Sequence, residues 1–135
     1  MEHLAYSRSR ELLPSQPALA ERCYAAGVRA LAEGDLDSGA RLFLLLALLE
    51  PRSERSWVGL GLAHERGRRT PIAAAVYTIG QRLCGGGSAW LEFGRARTLR
   101  ALGQKKAAEL AFDSAETKAS GTHLARIIEE HRCLL

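Results

Sequence analysis

Residues 57–67 read WVGLGLAHERG, and two glycines stand two apart inside a stretch that is otherwise helix-forming. In a helix interior Gly59 and Gly61 cost about 1 kcal/mol each relative to alanine. Either the pair belongs to a nucleotide-binding glycine loop, or another helix lies close against this one. A phosphate loop needs a strand before the glycines and a Gly-Lys-Ser/Thr or a third spaced glycine after them. Neither accompanies Gly59 and Gly61, and Gly85-Gly86-Gly87 is followed by Ser88 rather than by lysine. Close helix packing is the remaining reading.

Working outward, Gly27 and Gly61 lie 34 apart, as do Phe43 and Tyr77, Gly39 and Ala73, and Pro51 and Gly85. With one extra residue allowed at Gly85–Gly87, the residues Ala96, Gly103, Ala108, Phe112 and Ala115 enter the same frame. A period of this length, made of two helices, is the signature of a tetratricopeptide repeat. The expected fold is an all-α tetratricopeptide-repeat solenoid with three helix-turn-helix repeats, at 20–53, 54–87 and 89–122, and a C-terminal capping helix at 123–135. Residues 1–19 form an N-terminal arm and linker, with Leu13–Pro17 as the linker itself. Gly61 is the small residue where the two helices of a repeat cross, with Gly27 and Ala96 in that place in the neighbouring repeats. Gly59 is expected on the inner side, where a missing side chain leaves room for a ligand.

Capping residues agree with this frame. Asp35 or Asp37 can cap the second helix, Thr70 precedes Pro71 as a capping hydroxyl, and Ser88 and Thr122 can open the two later helices. The last helix carries Leu124, Ile127, Ile128 and His131 on one face, which suits it to cover the open end of the stack.

The 135-residue length fits one domain with its own core, and 47% hydrophobic and 25% charged residues are ordinary for a globular chain. The longest apolar run, Leu42–Leu49, is far shorter than a membrane span, so no direct membrane insertion is expected. Met1–Leu13 is charged and lacks an apolar stretch, so no export signal is expected. Three widely spaced cysteines, Cys23, Cys84 and Cys133, point to a reducing cytosol and a cytoplasmic protein rather than a disulfide framework. The net charge of +4 is spread along the chain, and nucleic acid is not an expected partner; an RNA-associated repeat would be favoured by charge alone. No His or Cys pair has metal-site spacing, and no serine or cysteine has a recognisable base and orienting acid. Neither metal, cofactor nor catalysis is expected.

A binding surface remains. The first helix of each repeat lines the concave side of such a solenoid, with inward positions at its second, fifth, ninth and twelfth residues. The first repeat contributes Glu21, Tyr24, Val28 and Leu31, the second Arg55, Val58, Leu62 and Glu65, and the third Trp90, Phe93, Arg97 and Arg100. The expected peptide-binding groove is therefore Tyr24, Val28, Leu31, Arg55, Val58, Leu62, Glu65, Trp90, Phe93 and Arg97. Its apolar middle suits an extended hydrophobic peptide, with Arg97 and Arg100 available for a carboxylate or a backbone carbonyl. Trp90 and Phe93 fit the core as well as the groove. A second surface lies in RLFLLLALLE, residues 41–50. Phe43, Leu46, Ala47 and Leu49 fill buried positions, but Leu44, Leu45 and Leu48 fall where Thr78, Ile79 and Arg82 stand in the next repeat. Covering them calls for the N-terminal arm or a second subunit, and a homodimer contact is expected there.

Trp57-Val-Gly-Leu-Gly61, Tyr77-Thr-Ile-Gly80 and the stretch from Gly103 to Ala115 with its Ala108-Glu109 pair also resemble the class II chaperones of bacterial type III secretion. The resemblance covers roughly residues 20–120. It implies a non-enzymatic cytosolic protein, commonly dimeric, that holds a pore-forming translocator before export. The client's short proline- and leucine-containing segment would lie in the concave groove. The other reading of the same residues is a generic repeat scaffold joining folded proteins in a secretion or assembly complex.

Overall fold

The structure, a computed structural model, describes residues 15–134. Among them are seven helices and no strand: α1 (Gln16–Ala32), α2 (Leu36–Leu49), α3 (Glu54–Arg66), α4 (Thr70–Leu83), α5 (Ala89–Ala101), α6 (Lys105–Lys118) and α7 (His123–Arg132). They pair in sequence as three hairpins, α1–α2, α3–α4 and α5–α6. Each hairpin packs on the next, and α7 packs on α6.

The turns inside the hairpins repeat as faithfully as the helices. Gly34, Arg68 and Gly103 all have a left-handed backbone, with φ of 78°, 60° and 79°. The residue after each donates its N–H to the carbonyl five back: Asp35 to Ala30, Arg69 to His64, Gln104 to Leu99. This is the closure that satisfies the last free carbonyls of a helix, and it needs one residue that tolerates positive φ. In the middle hairpin an arginine holds that place.

Two of the expected caps form and two do not. Asp35 accepts from Ser38 N, and Ser88 from Leu91 N. Thr70 is already the first residue of α4, with Arg69 at the cap position and no side-chain cap bond. The Thr122 hydroxyl turns back to donate to the carbonyl of Ala119 and so leaves the α7 amides uncapped. The linker expected at Leu13–Pro17 is shorter than its composition suggests. Ser15 accepts from Ala18 N, and Gln16 and Pro17 form the first turn of α1. Most of the expected N-terminal arm, residues 1–14, lies outside the described residues.

The core is threaded by aromatic rings set against glycines. One edge of the Phe43 ring faces Gly27 on α1 and the other faces Gly59 on α3. A Cβ at Gly59 would overlap Phe43 Cδ1 and Cε1. Tyr77 likewise lies against two glycines, Gly61 on α3 and Gly94 on α5, but meets both along the same edge, Cδ1, Cε1 and Cζ. Gly61 thus has the expected packing role. Gly59 lies on the inner side as expected, but the space its missing side chain leaves is taken by the ring of the preceding hairpin. At the C-terminal end Phe112, Phe93, Leu124 and Ile128 are buried together, with Ile127 against them, which covers the last face of the stack. No helix among the described residues is long and apolar enough to cross a membrane.

Candidate functional site

The inner face is built by α1, α3 and α5, since α3 contacts both of the others. Two adjoining depressions run along it. The first, of about 490 Å³, is lined by Tyr24, Val28, Leu31, Arg55, Val58, Leu62 and Trp90, together with Phe43, Gly59 and Arg66. The second, of about 540 Å³, shares Val58, Leu62, Arg66 and Trp90 with it and adds Glu65, Arg97 and Tyr77. Nine of the ten groove residues expected from the sequence therefore line one continuous depression. Val28 and Trp90 are 45% and 46% exposed, large apolar surfaces left open to water.

Phe93 is the exception. It is 4% exposed and packs into the core, edge-on to His131 with ring centroids 5.3 Å apart and beside Phe112 at 6.4 Å. The helix that covers the end of the stack takes this position out of the groove.

The charged residues of the groove are held in place. Arg55 Nη2 donates to Glu21 at 2.7 Å and to Glu50 at 3.0 Å, and its guanidinium lies 4.7 Å above the Tyr24 ring. Arg97 is bidentate on Glu65, Nε to Oε2 and Nη2 to Oε1, both 3.0 Å, and the Tyr77 hydroxyl donates to Glu65 Oε1 at 2.8 Å. Arg97 also covers the Phe93 ring at 4.3 Å. Burial alone would raise the Glu65 carboxyl, but the Arg97 hydrogen bonds and charge outweigh it and hold the pKa below the ordinary range. Burial first, and then the Glu65 charge, push the Tyr77 phenol far above its ordinary value. Arg97, expected to be available to a ligand, is thus committed to Glu65. Tyr77 was not foreseen at the groove. Its signal is the hydroxyl it adds at the repeat position where Phe43 and Phe112 have none.

Arg100 differs from Arg97. It reaches His131, with Nη2 2.8 Å from Nδ1 and Nη1 3.4 Å from the carbonyl, and meets no carboxylate among the described residues. Cys23 is buried, Cys84 is partly buried with its thiol pKa raised mainly by that burial, and Cys133 is exposed. Among the described residues no group of three or more His, Cys, Asp or Glu could hold a metal ion.

Leu44, Leu45 and Leu48 lie on α2, away from the groove, and are 49%, 41% and 72% exposed. Phe43, Leu46 and Ala47 of the same helix are buried. The helix divides as its position in the repeat requires, leaving a stripe of leucine on the outside.

No family model matches the sequence, and no curated protein matches it. Solved structures do match. SycD of Yersinia enterocolitica, a type III secretion translocator chaperone, aligns with a TM-score of 0.77 at 18% identity, over 83% of this chain and 86% of its own. PcrH from Pseudomonas aeruginosa aligns at 0.76 and 23% identity over 88% of each chain. The chain has the fold of the solved translocator chaperones. PcrH in complex with the chaperone binding region of PopB is as similar, at a TM-score of 0.76 and 22% identity over 89% of this chain and 94% of that one. Each of these alignments spans more than four fifths of this chain.

Proposed function

We propose that the chain is a non-enzymatic chaperone that binds an extended hydrophobic segment of a secreted translocator protein in its concave groove before type III export. The observation that carries this reading is the continuous groove in which Val28, Val58, Leu62 and Trp90 offer open apolar surface between anchored polar residues. A similar fold, PcrH, has been solved with the chaperone binding region of PopB, which supports the same use here.

The physics suits the role. A translocator has membrane-seeking segments that aggregate or insert early when left free in the cytoplasm. An apolar groove shields one such segment and keeps the client partly unfolded. Ordering the client consumes part of the interaction free energy, which favours moderate affinity and release at the export machine. The pairs Arg55–Glu50 and Arg97–Glu65 fix the groove walls before the client arrives, so less is lost in ordering the receptor.

The proposal includes a homodimer through Leu44, Leu45 and Leu48. SycD has been solved in an alternative dimer, and the outward leucine stripe supports a second copy of the chain as its cover.

The test is affinity capture from the host cytosol with the wild type and with Val58→Asp/Leu62→Asp. A stoichiometric client with long hydrophobic segments, lost in the variant while helicity by circular dichroism is kept, is the expected result. A folded partner that survives both substitutions overturns the chaperone reading and makes the protein a scaffold.

A further inference from the structure

Beyond the Glu65–Arg97 pair the groove opens into a third depression of about 720 Å³, bordered by Arg97, Arg100, Lys105 and Arg132 against the carboxylates of Glu65 and Glu109. Two of the four cations are spent: Arg97 on Glu65, and Arg132 on Asp113 and Glu116. Arg100 and Lys105 form no ion pair among the described residues. Arg100 is also positioned, its guanidinium 4.9 Å from the centre of the Phe112 ring and tied to His131. A guanidinium fixed on a ring, half withdrawn from water and without a carboxylate, is arranged to accept one.

Two further features bear on this end. The first turn of α6, which supplies Lys105 and Ala108 to the border, has no acidic residue, and Gln104 makes no side-chain cap. The positive end of the helix dipole therefore has no compensating carboxylate in its own first turn. Burial, followed by the charges of Arg100 and Arg97, holds the His131 imidazole below its ordinary pKa, which favours the neutral ring whose Nδ1 can accept from the Arg100 guanidinium and hold it in place.

We infer that the Arg100–Lys105 end of the groove is a receptor for side-chain carboxylates, so that the chain recognises a client segment in which an acidic run adjoins an apolar one. This rests on the groove reading above and sharpens it. The depressions are continuous, sharing Val58, Leu62 and Trp90 at one junction and Glu65 and Arg97 at the other. An extended chain that fills the apolar part with leucine and proline side chains thus passes directly onto the cationic part. The two parts divide the work: the apolar surface supplies contact area, and the cationic end fixes the direction in which the segment lies and speeds encounter.

The test uses fluorescein-labelled peptides with an apolar leucine- and proline-containing block joined, at either end, to a short run of glutamates, and twins with glutamine in place of glutamate. All are C-terminally amidated, so that only side-chain carboxylates differ; a free-acid glutamine peptide reports separately on a terminal carboxylate. Anisotropy at low salt is expected to give about tenfold tighter binding for one orientation of the glutamate peptide than for its twin. The advantage should shrink at high salt. Arg100→Gln and Lys105→Gln should each narrow it while leaving the glutamine peptide's affinity unchanged. Lys105 is exposed, so its replacement keeps the test valid even where Arg100→Gln weakens the fold. Equal binding of the twins overturns the carboxylate receptor and leaves the apolar groove standing. So does a tighter grip on the free-acid peptide with none on the glutamates. An advantage that survives both substitutions also overturns it. Failure of every peptide to bind removes the groove reading and the receptor with it.

Discussion

Glu65 on α3 and Arg97 on α5 form a bidentate ion pair, both contacts 3.0 Å, between the inner helices of successive hairpins. Their side chains are 25% and 16% exposed, and the Tyr77 hydroxyl completes the carboxylate's shell from α4. The pair lines the groove where its apolar part meets its cationic end, and so works as a strut between hairpins.

Breaking a pair this far withdrawn from water leaves one charge without compensation. Arg97→Leu is expected to cost about 3 kcal/mol in urea unfolding. The double variant Glu65→Leu/Arg97→Leu should cost clearly less than the sum of the single ones, because no charge is then stranded. Simple additivity would show that the two side chains do not act as a pair.

Gly59→Ala places a methyl group on the Phe43 ring. The expected loss is about 1–3 kcal/mol from overpacking, partly offset by the better helix propensity of alanine. At Gly87 nothing lies within 4 Å of an added Cβ and φ is not positive. Gly87→Ala should be neutral or slightly stabilising, by up to about 1 kcal/mol. Chemical denaturation of both variants checks the contrast.

Arg68 occupies a left-handed turn position that glycine fills in the other two hairpins. Arg68→Gly should stabilise the protein by about 1 kcal/mol, since a side chain there is strained by roughly that amount. An unchanged thermal midpoint would mean that the arginine side chain makes up for its backbone.

Leu45→Glu introduces a charge into the outward leucine stripe without touching the buried face of α2. Light scattering should show the molar mass of a dimer for the wild type and of a monomer for the variant. The same mass for both would exclude this stripe as the contact.

Acid should weaken the fold first through histidine. His64 and His131 both lie below the ordinary value of 6.5, in each case mainly through burial, reinforced by Arg69 at His64 and by Arg100 and Arg97 at His131. The folded state therefore favours neutral rings, and the unfolded chain takes up protons first. Stability is complete above about pH 6.5 and declines as the pH falls from there toward the lowered folded values. The Glu65 carboxyl, also held low, adds its loss at more acid pH. Thermal midpoints measured between about pH 7 and 5 should fall, and His131→Gln should flatten part of the slope.

The hairpins and most of the groove were legible because glycine and aromatic residues recur at fixed spacing, and the positions facing inward follow from that register alone. What escaped depends on contacts between distant parts of the chain. Arg97 looked available because Glu65 stands 32 residues away, on a different helix. Phe93 could be either groove or core until α7 was seen to bring His131 against it. Gly59 has the spacing of an inner position, but the ring that fills it comes from the hairpin before. Thr70 and Thr122 have the side chains of caps, yet their backbone and hydroxyl geometry leads elsewhere.

The rings set against glycines also say where one repeat ends. Phe43 rests on Gly27 of its own hairpin and on Gly59 of the next, and Tyr77 on Gly61 and Gly94 in the same manner. Each ring is half owned by its neighbour, so a single hairpin cut from the chain would keep its tenon and lose the mortise. The indivisible unit of this array is the joint between motifs rather than the motif itself, and a wedge driven into one joint is felt on both sides of it.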